Sequence, residues 1–413
     1  MMKRLLLIVI LLFSILPSTT SAGQIEEEMK AAFVRNDNLW LKLSDTEVQV
    51  TKNETIRFPK WSFDGSWLAY LKGPKQDFFS SGELWIYNLK NNKHYKIKSN
   101  VDHNFQWASN DNTIGFQVNK DLYMVDTKSF SEGKDVRITS NIENFSWLPN
   151  GRGFLTSSKE STELDSDIIL SKITFTEKNK QPIQKYFFTI PVKKDEYYVS
   201  TSVFKWSDDH KWISFLLVPT ASLSADANIL CILSSNGKVF RRIEEMLNYE
   251  DWFEWAPSKS LLGYISGIGR EATSNKQFKV LNVTSMSKDL FTPIMYTDRD
   301  FTWQSNQEIY VSRSMESKWV DIKNRPLPSL YKINIKFNEQ SKLTVPSNNE
   351  GDFQPQVFQN NIIWIRTDRQ IANVLTAPTT SHIEKLWIKN INVPSPYYEK
   401  WNWDEVFSLY NRK

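Results

Sequence analysis

Apolar and polar positions alternate along this chain in units that begin with the same aromatic pair. In five copies a Phe stands two residues before a Trp, with a polar residue between them, so both rings lie on one face of a strand. Six copies are centred on Trp61, Trp107, Trp147, Trp206, Trp255 and Trp303. A seventh copy, residues 353–366, has Pro355 in place of the Trp.

The segments that follow each Trp predict three more strands. A turn rich in Ser, Asp, Asn and Gly leads to an apolar strand, then to an alternating strand such as ELWIYNL, and often to a weaker fourth strand. The five intervals from Trp61 to Trp303 span 242 residues, so the mean period is about 48. Four strands per period are typical of a propeller blade. We therefore predict an all-β protein with one β-propeller of seven, or alternatively six, four-stranded blades over residues 38–391.

Closure of the ring is predicted from the two ends of the array. Residues 38–51 read as a third and a fourth strand without a first and a second. They would complete a blade begun by residues 353–366, although the strand-like segment Lys385 to Ile391 competes for that place.

The flanking segments predict a signal and two short helices. Residues 1–22 combine a basic start, an apolar run from Leu5 to Leu16 and small residues before a cleavage site after Ala22. Residues 23–37 predict a short helical segment, and residues 392–413 a helical tail. In the tail, Trp403, Phe407 and Tyr410 have helical spacing. We expect a secreted or extracytoplasmic protein without stable membrane insertion.

The segment Trp61-Ser62-Phe63-Asp64-Gly65 resembles the W-S-x-D-G repeat of TolB-like β-propellers, which are related to WD40 blades. The resemblance covers about residues 38–391 and implies the propeller fold. TolB proteins carry a separate N-terminal domain, and residues 23–37 are too few to form one.

Charge and cysteine content narrow the possible partners. The net charge is +4, and Lys3 and Arg4 lie in the predicted signal, so the mature chain carries about +4 − 2 = +2. Such a balance does not predict a nucleic-acid partner. The lone Cys231 lies in an apolar run and predicts a buried, inert thiol.

Long loops between second and third strands predict the binding face. They occur in six copies, at residues 72–82, 157–167, 218–227, 266–276, 313–328 and 367–384. Insertions on one face of a repeat protein often mark its binding surface. The candidate ligand-binding residues are Lys75, Asp77, Phe78, Phe79, Arg270, Lys318, Trp319, Asp321, Arg325 and Arg369.

Residue patterns of common catalytic and metal sites do not occur. The four histidines, His94, His103, His210 and His382, lack zinc spacing, and no G-x-S-x-G, P-loop or G-x-G-x-x-G motif is found. Glu163, Asp165 and Asp167 alternate as weak Ca²⁺ ligands would, but a solvated acidic loop fits them better. No metal, cofactor or catalytic residue is predicted.

These observations favour a non-catalytic, monomeric, exported scaffold that binds a protein, a peptide or an envelope polymer on the long-loop face. One alternative is a propeller enzyme with its site at the mouth of the central channel, using acids such as Asp300 and Asp352. Another is a purely structural surface protein. Carboxylates that converge at the channel would favour the enzyme.

Overall fold

A computed structural model describes residues 28–73, 81–128, 135–175, 181–381 and 383–411. The predicted β-propeller is confirmed, but it has eight blades rather than seven or six. Each blade is an antiparallel sheet in which the innermost strand faces the central lumen. We number the blades from 1, which contains the first strands of the chain, to 8.

The first four blades follow one another in the chain, except that the last strand of the protein completes blade 1. Their strands are β1 (Lys30–Arg35), β2 (Asn38–Leu43), β3 (Thr46–Gln49) and β33 (Phe407–Leu409) in blade 1; β4 (Ile56–Trp61), β5 (Trp67–Lys72), β6 (Gly82–Asn88) and β7 (Lys93–Val101) in blade 2; β8 (Phe105–Trp107), β9 (Thr113–Val118), β10 (Asp121–Asp126) and β11 (Val136–Thr139) in blade 3; and β12 (Asn144–Trp147), β13 (Gly153–Lys159), β14 (Ile168–Phe175) and β15 (Pro182–Ile190) in blade 4.

Blades 5 to 8 continue the same order, and the inner strand of blade 5 is split in two. Their strands are β16 (Tyr198–Thr201), β17 (Lys205–Trp206), β18 (Trp212–Pro219), β19 (Asn228–Ser234) and β20 (Phe240–Met246) in blade 5; β21 (Phe253–Trp255), β22 (Leu261–Ser266), β23 (Gln277–Asn282) and β24 (Ser287–Leu290) in blade 6; β25 (Tyr296–Trp303), β26 (Glu308–Met315), β27 (Ser329–Asn334) and β28 (Glu339–Lys342) in blade 7; and β29 (Gly351–Phe358), β30 (Asn361–Thr367), β31 (Ala372–Pro378) and β32 (Lys385–Ile391) in blade 8.

Helical structure in the described ranges consists of short 3-10 turns, among them Ala221–Ala225, Glu250–Trp252, Ile322–Asn324 and Trp403–Glu405. No helix among the residues described is long and apolar enough to cross a bilayer.

The predicted N-terminal helix is wrong, because part of that segment is strand β1. Four consecutive residues, 31–34, are buried since β1 lies between β2 and β33 and both of its faces are covered. A continuous apolar run of this kind does not distinguish a buried strand from a helix.

The predicted C-terminal helix is wrong too, because only Trp403–Glu405 forms a 3-10 turn before β33. The three residues with helical spacing are buried in separate places. Trp403 packs near Phe353, Phe407 lies in β33 and the Tyr410 ring contacts Trp61 at 5.7 Å. Their spacing therefore reflects three tertiary contacts rather than one helical face.

Ring closure differs from the prediction in the same region. β33 pairs with β1 through Ala31–Leu409, Ala32–Ser408 and Phe33–Phe407. Both chain ends therefore build blade 1, which raises the number of blades from the predicted seven to eight. Blade 8 is complete by itself, with Lys385–Ile391 as its fourth strand. The supposed long loop at residues 367–384 contains β31, which leaves only a short turn there. The repeat pattern did not predict blade 1, because its inner strand has Leu409 at the position where most other inner strands have Trp.

The repeated Trp joins neighbouring blades. In five blades its indole N–H donates to a main-chain carbonyl in the inner strand of the preceding blade. The bonds are Trp61 to Ser408 (3.0 Å), Trp107 to Lys60 (2.9 Å), Trp147 to Gln106 (2.9 Å), Trp255 to Lys205 (3.0 Å) and Trp303 to Glu254 (3.1 Å). The acceptor is each time the residue before the Trp position of the preceding blade.

The polar residue before the Trp makes a second contact in the opposite direction. Lys60 Nζ donates to the Phe105 carbonyl at 3.0 Å, and Lys205 Nζ donates to the Phe253 carbonyl at 3.1 Å. Gln106 Nε2 reaches the Phe145 carbonyl at 3.1 Å in the same way. Inner strands are thus linked to both neighbours, and the polar side chains between Phe and Trp lie along the lumen.

Glycines in second strands allow blades to approach closely. A Cβ on Gly115 of β9 would lie 2.9 Å from the Phe154 ring of blade 4. A Cβ on Gly263 of β22 would lie 2.8 Å from the Phe301 ring of blade 7. Buried aromatic side chains fill the space between sheets, and Cys231 is buried there as predicted.

The interblade bond predicts a difference between two otherwise similar substitutions. Trp107→Phe removes an indole N–H that is bonded to Lys60, whereas the indole nitrogen of Trp206 has no hydrogen-bond partner among the described residues. Both changes remove the same volume. We expect Trp107→Phe to lower the free energy of unfolding by about 1 kcal/mol more than Trp206→Phe in guanidinium titrations. Equal losses would contradict the role assigned to the bond.

Candidate functional site

The segment 392–406 brings the C-terminal part of the chain to the lumen before it reaches β33. Lys400 Nζ bonds Asp300 of blade 7 at 2.6 Å and lies 5.8 Å from the Trp252 ring. Asp404 accepts a bond from Gln354 of blade 8 at 2.8 Å. This segment therefore runs along the inner strands from the start of blade 6 back to blade 1.

Five ionisable side chains form a cluster in the lumen, which we call the lumen cluster: Lys60, His103, Glu250, Asp251 and Asp404. Lys60 interacts electrostatically with all three acids, and His103 with Lys60. Lys60 belongs to blade 2, whereas Glu250 and Asp251 lead into blade 6. Blades 2 and 6 are opposite each other in a ring of eight, so these charges interact across the lumen.

Three side chains of the lumen cluster are accessible to solvent although protein surrounds them. Glu250, His103 and Asp404 retain accessible surface, yet burial is the largest influence on the pKa of each. Groups that line a hydrated space enclosed by protein have this combination. These three side chains therefore remain accessible in spite of the protein around them.

Two carboxyl groups of the cluster, those of Asp404 and Glu250, have raised pKa values. Burial raises the pKa of Asp404 to about 7, and the negative charge of Asp251 contributes to this shift. Burial also raises the pKa of Glu250, although Lys205 and Lys60 oppose the shift. Asp404 can therefore hold or release a proton near neutral pH.

The basic groups of the cluster are shifted the other way. Burial lowers the pKa of His103 to about 4, assisted by the positive charges of Lys60 and Arg57. Burial lowers the pKa of Lys60 as well. At neutral pH a neutral imidazole thus faces the same lumen as a carboxyl that is about half protonated. Environments that push pKa values apart in this way are typical of acid–base pairs.

The acids predicted for a channel site lie near the lumen but are engaged in ion pairs. Asp300 is bound by Lys400 at 2.6 Å and by the Gln354 main-chain N–H at 3.1 Å. Asp352 accepts two bonds from Arg366 at 2.7 and 2.9 Å. Burial nevertheless raises the pKa of Asp352. Both carboxylates therefore hold the structure around the site rather than face it.

Four of the predicted binding residues gather around one turn, Tyr397–Lys400, which we call the C-terminal turn. Arg270 lies 5.5 Å from the Tyr398 ring and is also paired with Asp226. Trp319 packs on the same ring at 5.3 Å. Arg325 and Arg369 reach the carboxylate of Glu399 at 3.3 and 3.4 Å. Part of the long-loop face is thus covered by the chain itself.

The other predicted binding residues are dispersed or lie outside the described ranges. Lys318 is exposed, and Asp321 accepts a bond from the Lys323 main-chain N–H at the start of a 3-10 turn. Trp319 remains 40% exposed. Lys75, Asp77, Phe78 and Phe79 lie outside the described residues. A ligand on this face stays a prediction.

The acidic loop and the histidines give no metal cluster in the described ranges. Asp167 accepts a bond from the Val192 main-chain N–H at 2.8 Å. His382 lies outside the described residues, and His94 bonds the Tyr70 hydroxyl at 2.7 Å.

The sequence patterns did not identify the lumen cluster. Lys60 directly precedes Trp61, so strand alternation assigns it to the face opposite the Trp ring. A charged residue directly before the Trp, or just before an inner strand as with Glu250 and Asp251, was the sequence feature that could have indicated the cluster. Asp404 could not be found in this way because its segment was interpreted as a helix.

Comparisons in sequence gave no match, either to a family model or to a curated protein. Solved structures do match in fold. Dipeptidyl peptidase 4 from Porphyromonas gingivalis aligns with a TM-score of 0.59 at 10% identity, over 87% of this chain and 57% of that one. A prolyl endopeptidase aligns with a TM-score of 0.51 at 10% identity, over 83% of this chain and 50% of that one.

These likenesses define the class as a β-propeller and contradict the predicted non-catalytic scaffold. The chain spans about half the length of these peptidases. At this identity the likeness shows the fold alone. Both of the fold neighbours named here are peptidases rather than non-catalytic scaffolds.

The resemblance to TolB is supported only at the level of the propeller. TolB from Acinetobacter baumannii aligns with a TM-score of 0.37 at 14% identity, over 63% of this chain and 62% of that one. A likeness this weak carries no argument for that particular family.

The raised pKa of Asp404 predicts how Asp404→Asn changes the pH dependence of stability. The folded state holds the proton to about pH 7, whereas the unfolded chain releases it near the ordinary value of 3.8. The carboxyl therefore lowers stability progressively as the pH rises through this window. In urea titrations the variant should gain stability relative to the wild type between these pH values. His103 is present in both the wild type and Asp404→Asn, so its own contribution to the pH dependence of stability is common to the two proteins.

The exposed Asp165 offers a matched control. Asp165→Asn removes one carboxyl at an exposed position and serves as the reference for that loss. Parallel curves for wild type and Asp404→Asn would mean that Asp404 titrates as an ordinary surface carboxyl.

Proposed function

We propose that the protein is a propeller hydrolase whose acid–base site is the lumen cluster. The observation that carries the proposal is the opposite pKa shift of two groups in one lumen, with Asp404 near 7 and His103 near 4. Such a pair supplies a proton donor and a proton acceptor at the same pH.

In the proposed reaction the neutral imidazole of His103 takes a proton from water as the water oxygen attacks the substrate carbonyl. Asp404, kept protonated by burial and by the negative charge of Asp251, gives its proton to the leaving group as the bond breaks. The ammonium group of Lys60 is placed to stabilise the negative charge that develops on the carbonyl oxygen. The proton on His103 then returns to Asp404 through water, which restores both groups.

A peptide bond is the first substrate to test. The names of the peptidases that share the fold motivate this choice. The predicted signal at residues 1–22 adds a proposal of location, namely that hydrolysis takes place outside the cytoplasm. The W-S-x-D-G repeat leaves a TolB-like ancestry of the propeller as a further proposal.

The test uses the chain from residue 23 to residue 413 with a library of fluorogenic peptides. Asp404→Asn and His103→Gln should each lower kcat/KM by about 100-fold or more, because each removes one proton-transfer group. Asp165→Asn should leave kcat/KM unchanged. Turnover that survives both lumen substitutions, or no turnover of any peptide by the wild type, would contradict the proposal.

A further inference from the structure

Three arginines converge on a single carboxylate where the C-terminal turn meets blades 7 and 8. Arg299 comes from β25, Arg325 from the loop before β27 and Arg369 from the turn after β30. Their nearest nitrogens lie 3.7, 3.3 and 3.4 Å from the carboxylate of Glu399. Charge-assisted bonds usually measure about 2.7–2.9 Å, so Glu399 satisfies none of the three fully. We call this group the arginine triad.

Several donors of the triad are buried and unused. Arg299 is fully buried, and its Nε and Nη1 have no hydrogen-bond partner in the described part of the chain. Its Nη2 donates to the Pro326 carbonyl at 2.8 Å and the Ser314 hydroxyl at 3.4 Å, and its Nη1 makes only the long ion pair with Glu399 at 3.7 Å. The Nε of Arg369 is also buried without a partner. Buried charged donors left unpaired are costly, so the site favours an additional acceptor.

The local charge defines what kind of acceptor fits. The triad contributes three positive charges and Glu399 one negative charge. The neighbouring Asp300 is neutralised by Lys400 at 2.6 Å. A formal charge of about +2 therefore remains, which a doubly charged oxyanion would balance. Guanidinium groups match phosphate oxygens in geometry as well as in charge.

The site can open to solvent on one side. The side chains of Arg325 and Arg369 are 12% and 14% exposed, whereas that of Arg299 is not exposed. The C-terminal turn that presents Glu399 is strained, because Tyr398 and Glu399 both have positive φ, at 50° and 68°. Turns of this type favour Asn and Gly at these positions.

We propose that the arginine triad is a binding site for a phosphate group, either inorganic phosphate or a phosphate monoester. The free donors of Arg299 and Arg369 bind the phosphate oxygens, and Glu399 remains as the fourth charge of the site. This site is separate from the lumen cluster, and its test does not depend on any catalytic activity.

Isothermal titration with inorganic phosphate tests the proposal, in HEPES at constant ionic strength with sodium chloride as the reference. The wild type should bind phosphate. Arg369→Gln should weaken binding about tenfold or more, because it removes a charge-assisted donor. Glu399→Gln should tighten it, because it removes the carboxylate charge that all three arginines face. Glycerol phosphate as a second titrant distinguishes a monoester from the free ion.

Arg242→Gln is the matched control, because Arg242 lies in blade 5 rather than at blades 7 and 8 and is paired with Glu196. It should leave phosphate affinity unchanged. Glu399→Gln has a second readout, since phosphate should raise its melting temperature more than that of the wild type. Absence of phosphate binding in the wild type, or equal affinity in the wild type and Arg369→Gln, would overturn the proposal.

Discussion

The hydrogen bond from an indole N–H to the carbonyl of the preceding blade is the contact on which this ring depends. The inner strand of every blade is a sheet edge, with main-chain groups that its own sheet does not pair. The indole N–H of the Trp in the next blade donates to one such carbonyl. The side chains of Lys60, Gln106 and Lys205 donate to inner-strand carbonyls of the blade that follows their own. The same contacts that satisfy these groups also fix the spacing between blades. The repeated Trp thus both satisfies an inner-strand carbonyl and holds neighbouring blades together.

The lumen chemistry follows from that arrangement. Because the rings of Phe and Trp pack between blades, the residue between them is left facing the lumen, where charged and amide side chains accumulate. The last segment of the chain adds Asp404 to this set before closing blade 1. Burial without full exclusion of water then separates the pKa values of Asp404 and His103. The acid of the site, Asp404, therefore lies in the segment that leads into the closing strand, three residues before β33 begins.

The repeat predicted the architecture well and the closure poorly. The Phe and Trp spacing identified seven inner strands because side chains that face neighbouring blades recur in every copy. The eighth inner strand at Phe407–Leu409 is only three residues long and lacks the Trp, so its pairing with β1 depends on a tertiary contact that no local pattern records. Helix-forming residues near Ala31 and Ala32 misled in the same way, because burial between two strands overrides local preference.

For the site, the sequence indicated the loops but not the lumen. Arg270, Trp319, Arg325 and Arg369 do come together, yet they surround the Tyr398 and Glu399 side chains of the same chain. Asp300 and Asp352 do lie near the lumen, but their ion pairs with Lys400 and Arg366 are visible only in three dimensions. Charge pairing between distant segments cannot be read from spacing along the chain.

The central claim is that the ring encloses a carboxyl that stays protonated near neutral pH. Carbon-detected NMR titration of the protein labelled at Asp side-chain carboxyls, with Asp404→Asn to assign the signal, measures this directly. The account predicts that the Asp404 signal titrates with a midpoint of about 7. A midpoint near the ordinary value of 3.8 would contradict it.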